Sequence, residues 1–559
     1  MNRVKLVQRQ IKDALITAAL KAQEAGELQI TSLPDFVLEV PREKQHGDFA
    51  TNLAMLLAKE AKKAPRQIAE IISKYFSKTG TWVESLEIAG PGFINFRLDN
   101  SWLFEVVSDV LKEKHNYGRS DVGKGKKVQV EFVSANPTGL LHMGNARGAA
   151  LGDTIANLLD AAGFDVSREY YINDAGNQIH NFALSLEARY LQALGMDVPF
   201  PEEGYHGEDL VETVESFIKL HGDKYLQADS QERQDALVKY ALNEKLSHIR
   251  QVLHDFGVDY DVWFSEQSLH DSGAIKKVMA ALQSRGYIYE KDGALWFKSS
   301  LYGDEKDEVV VRSNGVPTYF AADIAYHVNK FERGFEWVIN LWGADHHGHV
   351  ARMKGAMEAL GYNPDQLQIV LMQLVRLFSG GEMLRMSKRT GQYVTLSELM
   401  EEVGRDAARY FFVMRSADSH LDFDLDLAKS ESAENPVYYV QYAHARICSI
   451  LRQAKEAGVS ELPVQVNYQL LTDPSELELI RKVADFPDVV AGAALALEPH
   501  RLTRYASELA GLFHSFYTNC RVLNIEADLM AARLGLVQAV KITLSNLLRL
   551  IGVTAPERM

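Results

Sequence analysis

The chain is 559 residues long, with 47% hydrophobic and 24% charged residues, an ordinary globular usage at a length that exceeds a single core, so a multidomain protein is expected. Extensive disorder is excluded, and so are a disulfide scaffold and a Cys-rich zinc site, because Cys448 and Cys520 are the only cysteines and stand far apart. A formal net charge of −15 excludes a generally basic surface and confines any nucleic-acid contact to local patches. The N-terminal segment is charged and periodic, unlike a signal peptide, and no later run reads as a membrane span; a soluble, cytoplasmic chain with no membrane contact is expected.

In chain order, residues 1–120 are expected to form a small α+β domain. It opens on a helix over about 4–25, continues with a helix over about 51–62, and has strands near 85–88 and 93–98 joined by the turn Gly90-Pro91-Gly92. Lys59, Lys62, Lys63 and Arg66 cluster there, which suits a solvated helix face or an RNA contact. The Gly-rich, charged stretch GRSDVGKGKK (118–127) marks a boundary.

An α/β Rossmann-like catalytic domain with a parallel sheet is expected over 121–425. The β-branched and aromatic run over 128–133 predicts a buried strand, which breaks at Asn136-Pro137-Thr138-Gly139 and resumes as a small-residue helix carrying Leu151, Ile155, Leu158 and Leu159. A second strand over 166–172 completes a βαβ unit, so ligands belong at the strands' carboxyl ends. A helical, acidic insertion is expected over about 190–300. The alternating pattern returns at 309–312, followed by a helix carrying Tyr319, Asp323 and His327, a strand over 337–341, and the loop from Gly343 to His349. A further strand over 367–377 leads to the turn Ser379-Gly380-Gly381 and to the loop Leu384-Arg385-Met386-Ser387-Lys388-Arg389-Thr390-Gly391. Amphipathic helices over 437–455, 502–517 and 534–551 predict an all-α helical bundle from 426 to 559.

Three separated features carry chemistry. His142-Met143-Gly144-Asn145 stands where the first loop enters its helix, so backbone N–H groups and a positive helix end face the strand's carboxyl edge; this suits a nucleotide phosphate, though Gly and Asn there also serve plain turns. The stretch Gly343 to His349 holds an acid and three histidines, which would also fit a metal site. No offset ligands accompany it, and no bound structural metal is expected. Lys388 lies in a loop flanked by glycines, able to close over phosphates.

Together these features resemble the class I aminoacyl-tRNA synthetases, whose two signature motifs match His142-Met143-Gly144-Asn145 and Arg385-Met386-Ser387-Lys388-Arg389. Further stretches, HGDFATNLA (46–54), IAGPGFINFRL (88–98), TYFAADIAYH (318–327), RDAARYFF and YVQYAHAR, resemble the arginyl-tRNA synthetases over essentially the whole chain. There are three departures. Asn145 stands for a second histidine, Arg385 for a first lysine and Arg389 for a closing serine. The resemblance implies activation of L-arginine by ATP, with Mg2+ as the nucleotide's counter-ion, and transfer of the arginyl group to the terminal ribose of a tRNA, by a chain acting as a monomer.

By matching position, the resemblance puts His142 and Asn145 on the ATP phosphates and Lys388 with Arg385 on the departing pyrophosphate. Met143, Gly144, Gly343, Asp345, Met386 and Ser387 complete the ATP site. A guanidinium is a planar, permanent cation that calls for a carboxylate backed by an aromatic ring, and Tyr319 and Asp323, four apart, share a helix face. Ser134, Asn136, Glu266 and His346 are further candidates for arginine. In the helical domain Tyr438, Tyr442, Arg446, Tyr517 and Arg521 suit stacking on unpaired anticodon bases, and the N-terminal domain is implied to touch the tRNA elbow. A cysteinyl enzyme of the same class and a small-molecule adenylyltransferase are the alternatives.

Overall fold

The computed structural model describes residues 2–41, 43–384, 394–459, 463 and 465–559. Its centre is a five-stranded, all-parallel sheet built from β1 (Lys127–Glu131), β2 (Asp165–Ile172), β3 (Val262–Ser265), β4 (Trp337–Gly343) and β5 (Leu367–Met372), in spatial order β5-β4-β1-β2-β3. The chain starts in the middle, steps through β2 and β3 to one side, then crosses over to β4 and β5 on the other. Strand order therefore reverses between β1 and β4, and the crevice above their carboxyl ends is where a doubly wound sheet takes its ligand.

The helices that serve this crevice are α1 (Met143–Ala161), α2 (Gly176–Ala193), α3 (Tyr319–Glu332) and α4 (His347–Ala359). Almost every residue of α1 is buried, which its run of Ala and Gly permits. A Cβ on Gly152 would lie 2.2 Å from the Phe132 ring, so only glycine lets α1 sit this close to β1. Its other side packs on the helices Arg405–Val413, Pro474–Ala496 and Ala527–Ile551, which carry the first motif's helix into contact with the C-terminal bundle.

The N-terminal unit pairs four antiparallel strands behind the helix Arg3–Glu24, and its hairpin Val83–Ala89 to Phe93–Leu98 turns at Gly90-Pro91-Gly92 as expected. Lys59, Lys62, Lys63 and Arg66 are all exposed. The C-terminal bundle holds the helices Pro436–Glu456, Pro474–Ala496, His500–Asn519 and Ala527–Ile551.

Several expectations are corrected. The stretch 190–300 is not simply a helical insertion: Val262–Ser265 pairs with β2 and forms the edge of the main sheet, and Ile288–Lys291 and Ala294–Phe297 make an antiparallel hairpin. The strand Glu308–Val311 does not return to the parallel sheet but adds antiparallel to that hairpin. The single strand expected over 367–377 is two, because the backbone leaves the sheet at Gln373: its N–H goes to the Ala417 carbonyl, and Val375–Ser379 starts a separate sheet with Glu382–Leu384 and Leu421–Asp424. Ala527–Ile551 is, contrary to expectation, long and apolar enough to cross a membrane, but 67% of its most apolar window is buried inside the fold. Both cysteines are buried thiols.

Candidate active site

At the end of β1 the backbone is strained. Val133 and Ser134 have φ of 68° and 41°, a left-handed conformation that is costly for a β-branched residue, and such strain persists only where the surroundings hold it. The Ser134 hydroxyl donates to Glu131 Oε1 at 3.0 Å and accepts the Tyr171 N–H at 3.1 Å, while the Tyr170 hydroxyl donates to the Ala135 carbonyl at 2.8 Å. β2 thus pins the loop that leads to His142. Asn136, in the same loop, is exposed.

His142 caps α1. Its Nδ1 accepts the Gly144 N–H at 3.1 Å, and Asn145 Oδ1 accepts the His142 N–H at 3.1 Å, a reciprocal cap. Because Nδ1 accepts, the ring proton belongs on Nε2, which makes that nitrogen a hydrogen-bond donor. A Cβ on Gly144 would meet the imidazole at 3.0 Å, so the glycine's structural reason lies in the stance of His142. Asn145 uses its oxygen on the cap and keeps its amide N–H groups as the donors it can offer a phosphate.

Across the crevice, Gly343 ends β4 and is followed by Asp345 and His346, both exposed, at the start of α4. Arg385, Met386, Ser387 and Lys388 lie outside the described residues. The chain on their far side is anchored at the first motif: Thr395 pairs with His142 in an antiparallel bridge and the Leu396 N–H donates to the Leu141 carbonyl at 2.8 Å.

Beyond β2 and β3 lies an acidic group. Glu266, at the end of β3, is only 3% exposed. Burial pushes its carboxyl up to about 7, the Tyr171 hydroxyl opposes the rise, and the charges of Asp323 and Asp174 add to it. Asp323 on α3 takes His349 Nε2 at 3.2 Å, and His349 is wedged between the Phe320 and Trp342 rings. Tyr319 stands one turn before Asp323, 42% exposed, with its ring beside Gly176. The Glu266 and Asp323 charges thus act on each other, and Ser134 bonds the backbone of Tyr171, whose hydroxyl acts on Glu266.

A buried polar chain beneath the site has no signal in the sequence. Lys330 on α3, fully buried, donates to Glu131 Oε2 at 2.6 Å and to Asn340 Oδ1 at 2.7 Å; Asn340 in turn meets His327 Nε2 at 2.6 Å, and His327 Nδ1 donates to the Asp323 carbonyl at 2.7 Å. Burial drives His327 well below the usual imidazole range, so it stays neutral within this chain. This chain joins Ser134, through Glu131, to Asp323 by way of β1, β4 and α3. Arg147 on α1, also fully buried, donates to the carbonyls of Gln373 at 2.7 Å and Ser416 at 2.9 Å, tying α1 to the segments that lead into Val375–Ser379 and Leu421–Asp424. A cationic residue within an Ala-rich helix is the one hint of it.

On the helical bundle, Tyr438 and Tyr442 stack with rings 11° from parallel, and the Arg446 guanidinium lies 5.1 Å from the Tyr442 and Tyr517 rings alike. Arg521 is not joined to this group by any contact among the described residues; its Nε donates to the Leu523 carbonyl at 3.1 Å.

A five-stranded parallel sheet with its crevice at the β1/β4 reversal, a capped His-Met-Gly-Asn helix and a helical tail are the parts of a class I tRNA synthetase, and the family model for the class I (R) catalytic domain matches residues 106–424. Models for the arginyl-tRNA synthetase N-terminal domain and the DALR anticodon binding domain match 5–98 and 440–559. The arginine–tRNA ligases of Moorella thermoacetica and Heliobacterium modesticaldum are 67% and 64% identical to the chain, each over the full length of both sequences. The Thermus thermophilus arginyl-tRNA synthetase structure superposes over 99% of the chain and all of its own, with a TM-score of 0.75 at 25% identity. The chain belongs to the arginyl-tRNA synthetase family, which sets aside the cysteinyl and adenylyltransferase alternatives.

Proposed function

We propose that this arginine–tRNA ligase runs its two steps with the division of labour that the crevice supports. The observation that carries the reading is a capped helix start at the strand-order reversal, together with a buried Glu266 at the end of the edge strand β3 that feels the charge of Asp323; these two carboxylates define the proposed arginine pocket. The arginine guanidinium enters that pocket between the two carboxylates with Tyr319 against its face, and Ser134, Asn136 and His346 face the amino-acid end. ATP, entering as its magnesium complex, lies over the N-terminus of α1, with Met143, Gly144, Gly343, Asp345, Met386 and Ser387 making up its site.

An oxygen of the arginine carboxylate attacks the α-phosphorus, and the bond to the bridging oxygen of pyrophosphate breaks. His142 Nε2–H and the Asn145 amide donate to the phosphoryl oxygens, while Lys388 and Arg385 neutralise the leaving pyrophosphate. A hydroxyl of the tRNA terminal ribose then attacks the arginyl carbonyl carbon and AMP leaves. The Tyr438, Tyr442, Arg446 and Tyr517 group stacks on unpaired anticodon bases, Arg521 lies nearby in sequence, and the N-terminal domain touches the tRNA elbow. The chain acts as a cytoplasmic monomer.

Pyrophosphate exchange measured with each amino acid, with and without tRNA, tests this reading. Among the amino acids only arginine supports exchange, and only when tRNA is present; exchange with cysteine at a comparable rate would sink it. Arginine binding should tighten as pH rises through about 7, because the guanidinium requires ionised Glu266 and the free carboxyl is held up to about 7 by burial. The KM for arginine falls over that window in the wild type, and Glu266→Gln flattens the profile; an unchanged profile removes Glu266 from the pocket. Tyr442→Ala should raise the KM for tRNA about ten-fold, the worth of one base–aromatic stack, without changing pyrophosphate exchange at saturating tRNA. An unaltered tRNA KM would show that the bases stack elsewhere.

A further inference from the structure

Arg409, on the helix Arg405–Val413, is fully buried, and no step of the reaction above uses it. Its guanidinium reaches three separate parts of the chain. One nitrogen donates to Asp153 Oδ2 on α1 at 2.5 Å. Nε donates to the Ile551 carbonyl at 2.9 Å, at the negative end of the helix Ala527–Ile551. The third nitrogen donates to the carbonyls of Phe256 and Gly257 at 3.1 and 3.2 Å, just before β3. Gly552 permits the approach: a Cβ there would lie 2.3 Å from the guanidinium, and its φ of +74° favours glycine in any case.

The tail beyond Gly552 is held between two helices. Asp406, on the helix of Arg409, accepts the Thr554 N–H at 3.1 Å, the Thr554 hydroxyl and the Gln441 amide at 2.9 Å. Gln441 also donates to the Thr554 carbonyl at 3.0 Å, His444 Nδ1 to the Pro556 carbonyl at 2.8 Å, and Arg452 to the Glu557 carbonyl at 3.0 Å. Gln441, His444 and Arg452 belong to Pro436–Glu456, the helix that carries Tyr438, Tyr442 and Arg446. One helix therefore bears the aromatic group and grips the tail, and the tail and its preceding helix end on Asp406 and Arg409.

We propose that Arg409 is a positioning residue that couples RNA contact at the Tyr442–Arg446 group to the placement of His142, through Asp153 on the helix that His142 caps. The proposal rests on the reading of the helical domain as the part that contacts the anticodon. A rigid, contiguous network of this kind can transmit a helix shift of about 1 Å, enough to misplace a catalytic group.

Wild type and Arg409→Lys are compared for kcat and KM of aminoacylation, using an arginine-accepting tRNA transcript and one with its anticodon bases replaced. In the wild type the replacement lowers kcat about ten-fold or more and raises KM; in Arg409→Lys the kcat ratio shrinks to about three-fold or less while the KM ratio is kept. A residue serving stability alone would lower both kcat values together and leave the ratio unchanged, which overturns the proposal. A wild-type kcat indifferent to the anticodon, with KM still sensitive, also overturns it while sparing the anticodon reading; indifference of both constants overturns the two together. Asp406→Asn, read in the same assay with the same expectations, decides the matter if Arg409→Lys does not fold.

Discussion

Asp323→Asn raises the KM for arginine about a hundred-fold or more and leaves the KM for ATP within about two-fold. Removing one partner of a desolvated charge pair costs about 2–5 kcal/mol, and each 1.4 kcal/mol is about ten-fold in affinity. The amide has nearly the shape of the carboxylate and occupies the same place beside His349, so the loss falls on the charge that the guanidinium needs. Glu266 next to it is held partly protonated, so Asp323 carries more of the attraction near neutral pH. Steady-state kinetics with each substrate varied in turn check the result. Equal rises in both KM values would take Asp323 out of the arginine pocket.

Lys388→Ala lowers kcat for pyrophosphate exchange about 10²–10³-fold with little change in the KM for arginine, the loss expected on removing a charge that acts on the departing phosphates. Lys388 precedes Thr395 by seven residues, and Thr395 pairs with His142 of the first motif. Activation that survived the substitution would require the α1 end to neutralise pyrophosphate alone, and His142 and Asn145 supply hydrogen bonds there without a permanent charge.

The strand–loop–helix from β1 into α1 is legible because its signals are local: a β-branched run, a Gly and Pro break, and a small-residue helix. The strand β3 is not, since Val262–Ser265 is four half-buried residues following a 26-residue helix, and its hydrogen bonds come from β2 some ninety positions earlier. The helix Pro474–Ala496 is masked in the sequence because it carries Pro487 in its interior, a residue that ordinarily ends a helix. Tyr319 and Asp323 can be paired from their spacing, whereas the chain from Glu131 through Lys330 and Asn340 to His327 joins three elements and has no spacing to read. The motif pattern locates His142 and Asn145 but not their mutual cap, a property of the helix start that only backbone geometry displays.

The most direct test of the account is a crystal structure of the protein with arginine and a non-hydrolysable ATP analogue. The guanidinium is expected within hydrogen-bond distance of both Asp323 and Glu266, with the α-phosphate over the N-terminus of α1 beside His142. A guanidinium bound away from those two carboxylates, with the phosphates elsewhere than the start of α1, would contradict it.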